Sequence, residues 1–303
     1  MAEDVSPTVA RRRLRLALRA AREGADLTQQ EVAERMEWSA SKVIRIESGD
    51  VTIAPNDLRP LLDYLGVKDK SVIASLVADA ATARRRQPQA WYQAMEFREH
   101  LSDSSRRLLE YEADATAVRY YYVNFVAGPL QTPEYAAALM ARYEEEFSAD
   151  QIAVRLQARI KRREKLLARA AAGEIDVRLL VDESVFLRTI GGPAVFAAQL
   201  RELAGLARGG VIKLRFVPFD ASTAVTNNAS FDLLTLAGAG EVLYRETGIR
   251  DEIVEDQATT ARHRERYDLV WQEVPDEADT IDFIRKRIEH LDAATAGRRG
   301  DPE

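Results

Sequence analysis

The chain has no cysteine, only three histidines, and no apolar run long enough to cross a bilayer. Without cysteine it can form neither disulfides nor thiolate metal sites, and it cannot use a cysteine nucleophile. A membrane-spanning helix needs about 18 or more consecutive apolar residues. Residues 1–20 also lack the apolar core of a secretory signal. We therefore expect a soluble, cytoplasmic protein that contacts no membrane.

The chain also lacks a basic excess, since its formal net charge is −6. The charge is uneven, however. Residues 11–22 contain six arginines and no acid, and residues 151–170 contain seven basic residues against one acid. Because DNA responds to a local patch rather than to the total charge, this balance does not exclude a nucleic-acid partner. We expect most arginines of residues 11–22 on a solvent face, with the DNA backbone as the alternative.

Catalytic motifs are absent from the sequence. It contains no Gly-x-Ser-x-Gly elbow, no P-loop and no His-Glu-x-x-His helix. The three histidines are far apart in polar helical segments, and no pair among the 49 acidic residues stands out. We predict that the chain is not an enzyme and uses no metal or cofactor.

A length of 303 residues predicts two domains. Helical periodicity with glycine stops predicts five helices within residues 1–86, and the stretch RRRQPQ (84–89) breaks that pattern. The part from residue 90 onward begins with helices, one of them over 102–128, and two helices over 251–271 and 276–293 end it. Between them lie strand-like runs at 174–182, 211–219, 231–237 and 241–247.

The predicted fold class is therefore α+β. An all-α five-helix domain over residues 1–86 precedes a mixed helical and α/β regulatory domain, with about four strands, over residues 90–303.

The stretch LTQQEVAERMEWSASKVIRIESGD (27–50) has the pattern of a helix-turn-helix. Thr28 with Glu31 three residues later forms a capping box, and Ser39 occupies the same capping position before a second helix. In a helix-turn-helix the second helix enters the major groove N-terminus first. Arg45 lies about one turn beyond its tip, and arginine binds guanine in a bidentate manner. Gln29 lies at the start of the first helix, which directs backbone N–H groups at phosphate.

This stretch resembles the XRE-type, phage-repressor-like helix-turn-helix family. Leu-Thr-Gln, Ala33, Ser-x-Ser and Ile-Glu-x-Gly carry the resemblance, and LRPLLDYLGV (58–67) is similar to that family's closing helix. The resemblance covers about residues 12–67 and implies a phosphate contact at Gln29 and base contacts at the start of the second helix. The predicted DNA-binding residues are Gln29, Ser39, Ala40, Ser41, Lys42 and Arg45. A helical bundle without a DNA role is the alternative.

Glu37 stands where this family usually has glycine in the turn. If Glu37 adopts the left-handed conformation, the strain lowers the stability of the turn by roughly 1–2 kcal/mol relative to glycine. Its carboxylate also has the same sign of charge as the DNA backbone.

The rest of the chain resembles the C-terminal domain of actinobacterial XRE-type regulators of the WhiJ kind, often called antitoxin-like. Segments that carry this resemblance include residues 91–92, 110–136, 159–167, 181–188, 211–219 and 231–247. It implies a transcriptional regulator that works with a small partner protein, commonly encoded beside it. It implies no enzymatic activity and no particular ligand.

Three features of this second part are candidates for a partner or ligand site. VRYYYVNF (118–125) is a cluster of aromatics that either packs in a core or lines a pocket. The basic stretch over 158–170 is either a solvated face or a face for a partner or DNA. Acidic and tyrosine side chains at strand ends are either ligand contacts or helix caps. The candidate residues are Tyr120, Tyr121, Tyr122, Asp182, Glu183, Tyr244 and Glu246.

We predict a sequence-specific transcriptional regulator that binds a double-stranded operator as a homodimer and whose C-terminal domain binds a small partner protein or an effector. When bound to DNA it would be associated with the nucleoid. One alternative is an antitoxin-like module that sequesters a protein and uses DNA binding for autoregulation. The other is a small-molecule sensor.

Overall fold

The computed structural model describes residues 6–85, 90–222, 229–246 and 251–298. The chain forms two compact units, one of residues 1–89 with Leu236–Gly240 and the other of residues 90–235 with 241–303. Most of the predicted linker, residues 86–89, lies outside the described residues, so the boundary between residues 86 and 90 stays a prediction.

Five helices form the N-terminal unit, as the sequence predicts. They are α1 (Pro7–Gly24), α2 (Gln29–Arg35), α3 (Ala40–Ser48), α4 (Pro55–Tyr64) and α5 (Lys70–Ala83). Their apolar faces meet in one core, in which Leu18, Val32, Ile46 and Leu62 are almost completely buried. Burial of such stripes supplies most of the stability of helices this short.

The α2–α3 pair begins and ends at the residues that the capping pattern indicates. The side chain of Thr28 accepts from the amide of Glu31, and the carboxylate of Glu31 accepts from the amide of Thr28. The hydroxyl of Ser39 accepts from the amide of Lys42 and caps α3. Glu37, in the turn, has φ of 55° and so lies in the left-handed region, where a non-glycine residue is strained.

The arginines of α1 do not mainly face solvent, and that expectation is wrong. Arg12 and Arg15 are 1% and 6% exposed. Arg13 forms an ion pair with Asp79 at 3.2 Å, and Arg22 forms one with the carboxylate of Glu47. Of the six, only Arg19 is exposed. The helix packs on more than one side, so its long side chains are drawn between neighbours rather than into water.

The C-terminal unit combines helices with a single six-stranded sheet. Its α-helices are α6 (Met95–Arg98), α7 (Asp103–Asp114), α8 (Pro133–Met140), α9 (Ala149–Ala171), α10 (Glu183–Leu187), α11 (Gly192–Arg208), α12 (Gln257–Glu273) and α13 (Glu277–Arg298). The strands are β1 (Ala115–Tyr122), β2 (Asp176–Asp182), β3 (Lys213–Val217), β4 (Phe231–Leu236), β5 (Gly240–Glu246) and β6 (Asp251–Val254). This confirms the α+β class.

The strand order is β3-β2-β1-β4-β5-β6. β1, β2 and β3 pair in parallel, with Tyr121 opposite Leu180. β5 and β6 pair antiparallel, with Leu243 opposite Val254. β4 and β5 are neighbours in the sheet and are joined through the Gly238-Ala239-Gly240 turn.

Two of the six strands contradict the sequence prediction of about four. β1 falls inside the segment predicted as one helix over 102–128, and β6 falls at the start of the helix predicted over 251–271. β1 is buried along most of its length, so it lacks the polar alternation that marks a half-exposed strand. β6 has only four residues, and its pairing with β5 decides its conformation.

The two faces of the sheet receive different side chains of β1, because successive residues of a strand point to opposite sides. Tyr121 packs with Leu180, Phe231 and Tyr267 in a core on the α12 side. Tyr120 and Tyr122 point to the other face, where their hydroxyls bond to Glu112 of α7 and Asp232 of β4.

Among the described helices, none combines the length and the apolar character that a bilayer crossing requires.

Candidate functional site

The N-terminal half of α3 presents the side chains that the sequence assigns to DNA. Ser39 and Ser41 are exposed, and Ala40 is half-buried. Arg45 is exposed one turn further along, and within the described part of the chain no hydrogen bond or ion pair engages its guanidinium. This side chain is therefore available to a base edge.

Ile44 is a candidate that the predicted set of DNA-binding residues leaves out. It lies on the outer side of α3 and is 49% exposed, which is unusual for a large apolar side chain. An apolar side chain on a recognition helix can contact the methyl group of thymine. The signal in the sequence is an isoleucine at an outward position between Val43 and Arg45.

Lys42 makes contacts within its own unit. Its Nζ lies 3.2 Å from the Oδ2 of Asp57 and 3.7 Å from the centre of the Trp38 ring. The Lys42 side chain is still 39% exposed. To bind a base, the Lys42 ammonium must break its ion pair with Asp57 and form a hydrogen bond to the DNA instead.

Gln29 belongs to a network that joins the first three helices. Its Nε2 donates to the Oε2 of Glu47 at 2.9 Å. Arg22 donates to both oxygens of Glu47, at 2.6 and 3.0 Å, and to the carbonyl of Leu27 at 2.8 Å. The Glu47 carboxylate also raises the pKa of Arg22. Glu47 is therefore structural, and the network fixes the orientation of α3 against α1 and α2.

A buried cluster of charges and hydroxyls lies on one face of the C-terminal sheet. Arg162 of α9 donates to Glu112 at 2.6 and 3.0 Å and to Asp232 at 3.0 Å. The hydroxyls of Tyr120 and Tyr122 donate to the same two carboxylates at 2.8 Å. Burial raises the pKa of Asp232 to about 6 although Arg162 opposes the shift. We call these five residues the Arg162 cluster.

A cleft opens beside the Arg162 cluster and is formed by α7, α9, the end of α8 and the β5–β6 edge. It consists of two cavities, of about 150 and 500 Å³, that share several lining residues. The shared lining includes Phe125, Met140, Arg155, Arg159, Glu246 and Asp251. We call it the Arg159 cleft. Tyr122, Tyr244 and Glu246, all predicted from the sequence, line it together.

Family comparisons agree with the two-part organisation. Residues 13–76 match the family model of a helix-turn-helix domain, so the N-terminal unit contains a helix-turn-helix DNA-binding domain. Residues 105–286, well over half of the chain, match the model described as a domain of unknown function (DUF5753). The chain belongs to the DUF5753 family. It matches no curated protein and no solved structure.

Other predicted residues of the DUF5753 domain lie away from the Arg159 cleft. Tyr120 is held within the Arg162 cluster, and Tyr121 packs on the opposite face of the sheet. Asp182 caps α10 by accepting from the amide of Ser184 at 2.9 Å. The carboxylate of Glu183 accepts from the amide of Phe219 at 2.9 Å. Asp182 therefore caps a helix, whereas Glu183 bonds to a backbone amide outside that helix.

The basic helix α9 of the DUF5753 domain is not simply a solvated or docking face. Arg162 bonds to Glu112 and Asp232 in the Arg162 cluster, and Arg169 donates to the carbonyls of Glu112 and Ala115. Two of the arginines in this basic run therefore bond to acceptors inside the unit.

Glu112 and Asp232 are important residues that sequence reasoning missed. Their exposed fractions are 6% and 0%. The available signal was Asp232 inside the otherwise apolar strand run FDLLTLA (231–237), because a buried carboxylate needs a partner. The described residues contain no group of three or more histidine or acidic side chains placed to hold a metal ion. The absence of metal and cofactor stays a prediction.

Proposed function

We propose that the chain is a sequence-specific transcriptional regulator that reads an operator through α3 and is controlled through its DUF5753 domain. The observation that carries the proposal is Arg45, exposed and without a described partner on a helix whose orientation is fixed by Glu47. A free guanidinium on a rigid recognition helix suits bidentate binding to guanine O6 and N7, worth about 1–3 kcal/mol of discrimination.

With α3 in the major groove, other side chains and backbone groups of α2 and α3 would also contact the DNA. Ser39 and Ser41 offer hydroxyls at the tip of α3, and Ala40 leaves room for close approach to the bases. The first turn of α2 offers backbone N–H groups to a phosphate, and Gln29 keeps one amide N–H beyond the one bonded to Glu47.

A homodimer on a two-fold-related operator is part of the proposal. One recognition helix reads only a few base pairs, whereas specific regulators gain selectivity from two half-sites about one helical turn apart. The proposal places the protein in the cytoplasm, bound to the nucleoid at its operators, and assigns it binding rather than catalysis.

Control through the DUF5753 domain is proposed in two forms. The Arg159 cleft supports an effector. The resemblance to regulators of the WhiJ kind supports a small partner protein, in the form of an antitoxin-like module. A pull-down with the product of the neighbouring reading frame tests the partner: retention on the full chain supports it, and no retention at micromolar concentration counts against it.

Selection of genomic DNA fragments by the purified full chain at near-physiological salt tests the regulator proposal. The expected result is enrichment of a short inverted motif, because a dimer presents α3 to two half-sites. Enrichment that follows only length or base composition, with folded protein, would contradict sequence-specific recognition.

A further inference from the structure

We propose that the Arg159 cleft is a binding site for a small organic monoanion, a carboxylate on an apolar body with a hydrogen-bond donor at its far end. This deepens the effector form of the proposed function, but it stands on the geometry of the C-terminal unit alone.

Two cations line the α9 wall of the cleft, and the Glu246 carboxylate attracts one of them, Arg159. Arg155 and Arg159 are four residues apart, so they share one face of α9. Neither forms an ion pair with a described carboxylate. Arg159 donates to a neutral acceptor, the Oε1 of Gln131, at 2.9 Å, and burial lowers its pKa.

Arg155 carries the stronger signal for an anion. Its guanidinium lies 3.9 Å from the centre of the Phe147 ring. Its Nε is buried and has no hydrogen-bond partner in the described part of the chain. A buried N–H of a charged group that lacks a hydrogen bond destabilises the protein, so a ligand that supplies an acceptor to this N–H would bind favourably. A carboxylate matches the planar fork of a guanidinium.

The shape of the cleft fits a ligand with an apolar body. The larger cavity, of about 500 Å³, has the size of small-molecule sites. Phe125, Met140, Tyr143 and Phe147 line it beside the arginines. These side chains can enclose a ring or a branched chain.

The opposite charge of a second wall limits the ligand further. Glu246 and Asp251, at the end of β5 and the start of β6, also line both cavities. Asp251 accepts from the hydroxyls of Ser102 and Ser105 at 3.2 Å, whereas burial raises the pKa of Glu246. This wall disfavours a second negative charge and favours a hydroxyl or an amino group on the ligand.

Saturation-transfer NMR with the full chain, without DNA, tests the proposal. The probes are 4-hydroxyphenylacetate and related aromatic carboxylates with a para donor, each beside its neutral amide and beside phenyl phosphate. We expect the carboxylates to bind at least tenfold more tightly than their amides and more tightly than the phosphate dianion. Equal binding of the amides, preference for the phosphate or no binding of any carboxylate would overturn the proposal.

Variants locate the site. The double variant Arg155→Gln/Arg159→Gln should lose at least tenfold in carboxylate affinity, whereas Lys165→Gln removes an exposed charge of the same helix and should bind as the wild type does. Equal binding by the double variant would place the probe elsewhere and overturn the assignment.

Urea unfolding separates binding from structure. Arg155→Gln alone should unfold at a urea midpoint only slightly below that of the wild type, because it loses the contact with the Phe147 ring but no described hydrogen bond or ion pair. A large fall in the midpoint would mean that Arg155 mainly serves the fold and would overturn its assignment to ligand binding. Since no DNA is present, failure of these tests leaves the operator proposal unaffected.

Discussion

Glu47→Gln would remove the charge that joins α1, α2 and α3. The side chains of Arg22 and Glu47 are 12% and 8% exposed. A fully buried charge that loses its partner costs about 3–5 kcal/mol, whereas an exposed ion pair contributes about 0–1 kcal/mol. Water still reaches Arg22 to a small extent, so we expect Glu47→Gln to lower the free energy of unfolding of the N-terminal unit by about 2–3 kcal/mol.

Hydrogen exchange of the full chain in increasing urea measures this loss, since peptides from residues 22–50 report on the N-terminal unit separately. Glu34→Gln is the matched control. Glu34 is exposed, accepts a hydrogen bond from Gln30 at 2.9 Å, and should change stability by less than about 0.5 kcal/mol. If Glu47→Gln lost no more than this control, the network would not be what fixes α3.

Four further substitutions test the turn, the DNA contacts and the buried cluster. Glu37→Gly should stabilise the N-terminal unit by about 1 kcal/mol in urea, because relief of the left-handed strain exceeds the entropy that glycine loses; a loss of stability would contradict this. Asp57→Asn should tighten operator binding several-fold in fluorescence anisotropy, because it frees Lys42; unchanged affinity would show that Lys42 does not reach DNA. Gln29→Ala should weaken binding equally for all sequences, and a sequence-dependent loss would contradict a phosphate contact. Burial raises the pKa of Asp232 from 3.8 to about 6, so the folded state holds its proton more tightly than the unfolded state. The protonated Asp232 therefore contributes about 3 kcal/mol to the free energy of unfolding below pH 3.8, and this contribution is lost as the pH rises to about 6. In urea unfolding, Asp232→Asn should lack this loss of stability between pH 3.8 and about 6. A pH profile identical to that of the wild type would refute the assignment.

Local signals made the helix-turn-helix predictable. Thr28 and Ser39 satisfy the first free amides of the helices that follow them, and each cap is complete within four residues. The left-handed geometry of Glu37 follows from its place in the turn. Arg45 faces outward because Val43 and Ile46 face inward on the same short helix.

Non-local pairing hid two strands. β1 is flanked by helical sequence, and its strand conformation depends on hydrogen bonds to β2, about 60 residues further along the chain. The strand conformation of β6 depends in the same way on its pairing with β5. Periodicity within a window of the sequence does not contain these partners.

The candidate cleft was predictable only in part. Tyr122, Tyr244 and Glu246 were selected from aromatic clustering and strand ends, and they line one cleft. Asp182 and Glu183 satisfied the same criterion but cap and bond to backbone amides. Strand-end position alone could not separate the two sets. The order of β1, β4, β5 and β6 in the sheet decides which strand ends meet at the cleft, and that order is not visible in the sequence.

Binding of wild-type and Arg45→Ala protein to the selected operator, and to every single-base variant of it, tests the central claim most directly. We expect Arg45→Ala to lose about 1–3 kcal/mol on the operator and to stop discriminating at one base pair of each half-site. Arg188→Ala, which removes an exposed charge of the C-terminal unit, should match the wild type. A uniform loss across all variants, or none, would contradict base reading by Arg45.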